Sequence, residues 1–350
     1  MLIVGFYATG GYEPRQVRKE AAVNSTSSVT WRCLAGASWQ RLLPGSGIES
    51  RCTAYRSFGD YKYMTIKKVC VIGSGTMGGG IAQVSAQAGY ETTMVDISQE
   101  LLDRGMNKIK ASLGKFVEKE RIKQEEMNEA LARLRTSVDM KDAAKDADYI
   151  VEAVFERAEV KLPIFKQLEG ICPKETILSS NTSGIPISLL ASATRRADKV
   201  IGAHFMNPVP LMKVVEVVRS LLTSEESVKI TIDFVKSLDK EPVVVKDSPG
   251  FVANRVYMLT VNEAAKLLEE DAGRIEDVDK LMRLSFNWPM GPFELADLIG
   301  IDVIVDLLEG IYQETGWERY KPTPLLKRMV EIGYTGRKAG RGFYQLFAQS

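Results

Sequence analysis

The sequence predicts an α/β protein, a Rossmann-type doubly wound, largely parallel sheet followed by an all-α C-terminal domain. Three observations carry the prediction. The apolar run Val69 to Ile72 leads directly into Gly73-Ser74-Gly75-Thr76-Met77-Gly78, a GxGxxG spacing that opens a helical stretch to Ala88. Further apolar runs alternate with helical segments as far as Lys246, the order that a sheet covered on both faces requires. Beyond Lys246 the strand signals stop and only helical periodicity continues.

Residues 1–64 read as an N-terminal extension, rich in Arg, Ser and Gly and without a sustained helix or strand period. One reading is an upstream segment that does not join the core, with Met64 as the natural start; the other is an organellar transit peptide. Glu13, Glu20, Glu49 and Asp60 weigh against the second.

Residues 65–246 form the dinucleotide-binding domain. Gly89 stops the first helix and a second strand ends at Asp96, which completes one βαβ unit. A charged excursion from Gln99 to Arg135 is long enough for two antiparallel helices exposed on several faces. Strands are expected at Tyr149 to Val154, Thr176 to Leu178, Val200 to Phe205, Val214 to Val218 and Val243 to Val245, the last two pairing differently from the rest.

Residues 247–350 form the helical domain. Ser248 and Pro249 are read as N-cap and first helical residue of a helix through Glu270, with Val252, Val256 and Leu259 on one face. Val278, Leu281 and Met282 mark a second helix, Val303, Leu307, Leu308 and Ile311 a third, and Thr323-Pro324 opens a fourth. A domain of this size can hardly bury so much apolar surface alone, so these helices are expected to form a homodimer as well as to close the substrate cleft.

Composition excludes several classes. With 46 basic and 45 acidic side chains in 350 residues, the formal charge of +1 provides no global field to recruit nucleic acid or an anionic membrane. No apolar stretch is long enough to span a bilayer. Cys33, Cys52, Cys70 and Cys172 lie far apart with no CxxC spacing, which argues against a metal site or a disulfide scaffold and suits a reducing compartment. The expected location is the cytoplasm, or the mitochondrial matrix if residues 1–64 are a transit peptide.

The chemistry starts at the glycines. Gly73 permits a tight turn, Gly75 lets backbone amides approach a pyrophosphate, Gly78 allows close helix-to-strand packing, and the helix N-terminus carrying Thr76 and Met77 attracts the phosphate charge. Asp96, ending the next strand, would accept hydrogen bonds from the adenosine ribose and repel a 2′-phosphate, which favours NAD over NADP. His204, the only histidine in the chain, lies where the run Val200 to Phe205 ends, the edge at which open α/β sheets place their ligands. Glu216 interrupts the valines 214, 215, 217 and 218, and a carboxylate inside such a run needs a partner such as an imidazole. A paired Glu fixes the ring tautomer and frees the other nitrogen for proton exchange with a hydroxyl; a buried pair without a catalytic task is the alternative.

The segments VCVIGSGTMGGGIAQ, VEAVFE, SSNTSG, GAHFMNPVPLMKVVEVV, KDSPGFVANR, PMGPFELAD and GRKAGRGFY, between Lys67 and Tyr344, resemble the 3-hydroxyacyl-CoA dehydrogenases, most closely the short bacterial 3-hydroxybutyryl-CoA type. The resemblance implies an NAD-dependent enzyme that interconverts an (S)-3-hydroxyacyl-CoA thioester and its 3-keto form in fatty-acid or butanoate metabolism. It implies that His204 is the acid/base, Glu216 its orienter, and Ser183 and Asn254 the groups that hold the reacting oxygen. By the same likeness Glu156, Lys161 and Asn181 face the cofactor, and the CoA phosphates lie toward Lys115, Lys119, Arg121 and Lys123. Two departures bear on the acyl chain: Met206 stands where relatives carry a second Phe, and Gly184 where they carry Ser.

Three other functions compete. A hydrolase could use Ser183, His204 and Glu216, but Ser183 sits in Asn-Thr-Ser-Gly with no GxSxG elbow, and a hydrolase has no use for the dinucleotide fingerprint. A dehydrogenase of a free 3-hydroxy acid would not need a CoA groove. A non-enzymatic NAD-binding protein would not need Ser183, His204, Glu216 and Asn254 together.

Overall fold

A computed structural model describes residues 65–347; the extension read over residues 1–64 lies outside them. The elements run β1 (Lys68–Ile72), α1 (Thr76–Gln87), β2 (Glu91–Val95), α2 (Gln99–Glu118), α3 (Gln124–Arg133), β3 (Leu134–Ser137), α4 (Met140–Ala144), β4 (Tyr149–Glu152), α5 (Ala158–Ile171) and β5 (Ile177–Ser180). They continue with α6 (Ile187–Ala191), β6 (Val200–Phe205), β7 (Val214–Arg219), α7 (Glu225–Ser237) and β8 (Glu241–Lys246). Among the described residues only helices follow, chiefly α8 (Ala253–Glu269), α9 (Ile275–Phe286), α10 (Pro292–Ile299), α11 (Ile301–Thr315) and α12 (Pro324–Glu331).

One sheet orders the strands β3-β2-β1-β4-β5-β6-β7-β8. The chain starts in the middle, winds out to β3, returns past β1 and continues to the other edge, so the carboxyl ends of β1 and β4 flank the crevice where such sheets bind ligands. Pairing is parallel from β3 through β6, antiparallel between β6 and β7, and parallel again between β7 and β8, so the last two strands run against the others as expected. The central strands are apolar on both faces because helices cover both: Val69, Val71 and Val151 join one buried cluster, and Cys70, Ile72 and Ile150 another.

Two local expectations need correction. The charged excursion ends in strand β3 rather than helix, since Leu134 is the only fully buried residue of this short edge and leaves almost no alternation to read. Helix α2 is exposed on several faces, as expected, and buries a single stripe, Leu102, Gly105, Ile109 and Leu113, at helical spacing. Helix α8 begins at Ala253, not Pro249, because Gly250 (φ 70°) and Phe251 (φ 49°) take the left-handed conformation and form a turn before it. Its core face is Met258, Val261, Ala264 and Ala265, whereas Val252 and Val256 point to solvent. Thr323 does cap α12, its side chain accepting from the Leu326 amide, with Pro324 at the first position.

Candidate active site

The glycine loop sits between β1 and α1. Gly73 has φ 105°, and a Cβ there would lie 2.5 Å from the carbonyl oxygen of Ala153; one on Gly78 would lie 1.9 Å from that of Gly73. Both glycines are therefore required by the fold itself. Gly75 differs: a Cβ there would meet nothing within 4 Å, so the open space beside it is available to a ligand. The N-terminus of α1 carries no side-chain cap and no acidic residue in its first turn, unlike α2, which Ser98 caps. Thr76 lies exposed at that terminus, while Met77 packs inward on the core. Uncapped amides at the positive end of a helix, next to open space, fit a pyrophosphate.

Asp96, directly after β2, has both carboxylate oxygens engaged. One oxygen accepts the Ser74 amide (2.7 Å) and hydroxyl (2.6 Å), the other the Ile97 amide (2.8 Å). These bonds tie the carboxylate to the glycine loop and leave it partly exposed.

Four strands along the sheet from β2, on β6 and β7, His204 and Glu216 come together. They occupy directly opposed positions of the antiparallel β6–β7 pair, with both side chains buried. Nδ1 of His204 lies 2.8 Å from Oε2 of Glu216. Oε1 of Glu216 accepts the amides of Val252 (3.1 Å) and Ala253 (2.9 Å), at the start of α8. The left-handed turn at Gly250 and Phe251 aims these amides, and Phe251 sets its ring edge-on to the imidazole, 5.7 Å between centroids. Burial pushes the Glu216 carboxyl up, but the His204 hydrogen bond and the Ala253 and Val252 amides outweigh it and hold the group below the ordinary carboxylate range.

The second imidazole nitrogen, Nε2, lies 3.2 Å from the Ser183 hydroxyl. Ser183 is fixed at three atoms, by the loop after β4, by β6 and by α8. Its amide donates to Glu156 (2.7 Å), its carbonyl accepts from Nδ2 of Asn254 on α8 (3.2 Å), and its hydroxyl meets His204. Asn254 keeps a second N–H for another acceptor. Asn181, directly after β5, accepts the Phe205 amide (2.9 Å) and so joins the β5 and β6 ends beside His204. Lys161 lies buried, 2.6 Å from Glu152 and 3.3 Å from Glu156. Glu152, Ser180 and Phe251 are not among the residues the sequence points to, although Glu152 carries a signal like that of Glu216, a carboxylate within an apolar run.

Lys115, Lys119, Arg121 and Lys123 are all exposed around the end of α2, with the Arg121 guanidinium over the Phe116 ring. A cleft of about 150 Å³ runs from the glycine loop toward this helix, lined among others by Gly75, Gly80, Lys108, Ser112 and Pro208. Among the described residues no group of acidic, His or Cys side chains could hold a metal ion, and no helix is long and apolar enough to cross a membrane.

A nucleotide cradle at one part of the carboxyl edge and an imidazole braced by a buried carboxylate at another describe a nicotinamide-dependent dehydrogenase of the Rossmann type. Comparison with known proteins narrows the class. Residues 68–248 match the NAD binding domain of 3-hydroxyacyl-CoA dehydrogenase and residues 250–346 its C-terminal domain. The chain belongs to the 3-hydroxyacyl-CoA dehydrogenase family. It is 46% identical to a probable 3-hydroxybutyryl-CoA dehydrogenase of Deinococcus radiodurans, over 79% of this chain and 99% of that one. A probable 3-hydroxybutyryl-CoA dehydrogenase of Bacillus subtilis is 42% identical over 80% of this chain and 98% of its own. The crystal structure of (S)-3-hydroxybutyryl-CoA dehydrogenase from Ralstonia eutropha superposes with a TM-score of 0.77 at 41% identity, covering 80% of this chain and 99% of that one.

Proposed function

We propose that the protein oxidises (S)-3-hydroxybutyryl-CoA, or a 3-hydroxyacyl-CoA of similar length, to the 3-keto thioester with NAD, and catalyses the reverse. The observation that carries this reading is the hydrogen-bonded row Glu216, His204, Ser183, which leads from a buried carboxylate to a hydroxyl at the strand ends. His204 takes the substrate hydroxyl proton on Nε2 during oxidation and returns it during reduction. Glu216 keeps the ring oriented and stabilises the imidazolium, while the α8 amides keep Glu216 in place. Ser183 and the free N–H of Asn254 hold the substrate oxygen and favour negative charge on it. NAD would supply the hydride acceptor and would be held by the glycine loop, Thr76 and Asp96, with Glu156 and Asn181 facing it and the buried Lys161 behind Glu156.

The CoA portion would lie toward the end of α2, where the exposed Lys115, Lys119, Arg121 and Lys123 offer positive charge to its phosphates. The helices of residues 247–350 complete the cleft through Asn254 and also pair two copies, since Val256, Leu281, Leu284 and Phe286 are each more than half exposed. The buried free thiols Cys70 and Cys172 suit a reducing compartment such as the cytoplasm.

The test is NADH oxidation with acetoacetyl-CoA, repeated with free acetoacetate. Fast turnover of the thioester alone is expected. Equal turnover of the free acid would instead favour a dehydrogenase of 3-hydroxy acids.

A further inference from the structure

Glu152 and Lys161 are 0% and 1% exposed. A carboxylate and an ammonium removed from water are tolerated only when their hydrogen bonds are met. Glu152 meets this condition. Oε1 accepts from Nζ of Lys161 (2.6 Å) and from the Val154 amide (2.8 Å), and Oε2 accepts the Ser180 hydroxyl (2.6 Å). Lys161 then reaches across to Oε2 of Glu156, 3.3 Å away. The other oxygen of Glu156 accepts the amides of Ser183 (2.7 Å) and Gly184 (3.1 Å) and the Thr182 hydroxyl.

An unbroken path therefore runs from the floor of β4 to the loop after β5, and it ends on the residue whose hydroxyl faces His204. Apolar packing would stabilise the fold as well as a buried ion pair does, so stability alone gives no reason for these charges here. What they add is fixed geometry. The two ends of the Glu156 carboxylate are committed, one to Lys161 and one to the loop.

We propose that Glu152 is a positioning residue: through Lys161 it orients Glu156, and through Glu156 it fixes the Ser183 amide, so that the Ser183 hydroxyl stays on His204. The proposal rests on the reading of Ser183 as a holder of the substrate oxygen. It gives Lys161 a task distinct from direct contact with the cofactor, and the two tasks predict different kinetics.

The experiment compares Glu152→Gln, Lys161→Met, the double variant and Ser183→Ala, measuring kcat and KM with acetoacetyl-CoA and NADH affinity by fluorescence titration. Lys161→Met should lower kcat by about tenfold to a hundredfold, the cost of a small misplacement of a reacting group, with NADH affinity within about twofold of wild type. The double variant, which removes both buried charges, should turn over faster than Lys161→Met alone. If Lys161→Met does not fold, Glu152→Gln tests the same split between kcat and NADH affinity with a side chain of equal size. NADH affinity falling in step with kcat would make Lys161 a cofactor ligand and overturn the proposal, as would simply multiplicative losses in the double variant. Full turnover by Ser183→Ala would remove the role of Ser183 and the relay with it, whereas loss in Ser183→Ala with normal kcat in Lys161→Met would sink the relay alone.

Discussion

Glu216 divides its two carboxylate oxygens between His204, at 2.8 Å, and the first amides of α8, at 2.9 and 3.1 Å. The same carboxylate thus orients the imidazole and fastens the helical C-terminal segment to the sheet. Because Asn254 sits in that first helical turn and donates to Ser183, the parts of the site on β5, β6, β7 and α8 are mutually braced.

This arrangement has a consequence for acid stability. The folded-state pKa of Glu216 is depressed, so its stabilising contribution is fully present above the unfolded value, about 4.3, and is lost as pH falls through the folded value. Urea unfolding of wild type and Glu216→Gln from pH 7 down to pH 3 should show the wild-type advantage shrinking below about pH 4.3. An advantage that is constant with pH would contradict it.

The glycine loop separates requirements of the fold from those of the ligand. Gly78→Ala should destabilise the protein by about 1–3 kcal/mol, since its Cβ would collide with backbone that cannot move aside. Gly75→Ala should keep the melting temperature and weaken NADH binding, because only a bound group meets that Cβ. Thermal melts and NADH titrations of both variants check the contrast.

Asp96 should set cofactor choice. Asp96→Ala is expected to lose NAD affinity and gain relative use of NADP, because a ribose 2′-phosphate meets the carboxylate's negative charge in the wild type. Ratios of kcat/KM for the two cofactors decide it.

The exposed apolar side chains of α8 and α9 predict a dimer. Val256 is 63% exposed and Phe286 65%. Val256→Glu should shift the protein toward monomer in light scattering at micromolar concentration, and a wild-type protein already monomeric there would end the argument.

How much of this was legible in the sequence depended on whether one residue could carry the signal. Glu216 stood out because a charge inside a valine run has few explanations, and its opposition to His204 followed once β6 and β7 paired antiparallel. The strand β3 was not legible, since Leu134 alone is fully buried there and the helix before it merges into it without a breaker. Ser248-Pro249 carried a sound start signal, but the left-handed backbone at Phe251 is imposed by tertiary packing against His204 and by the Glu216 carboxylate. The binding of Glu156 to the Ser183 loop was hidden for a similar reason. It depends on β4 and β5 being neighbours, which places residues far apart in the chain side by side.

The most direct test of the account is the turnover of His204→Gln on acetoacetyl-CoA and NADH, taken with Glu216→Gln and the double variant. His204→Gln should lose about two to four orders of magnitude in kcat, the usual contribution of a positioned acid/base, with NADH binding nearly intact. The double variant should be little worse than His204→Gln, because the carboxylate acts through the imidazole. Near wild-type turnover by His204→Gln, or losses that multiply in the double variant, would show that the proton is exchanged elsewhere.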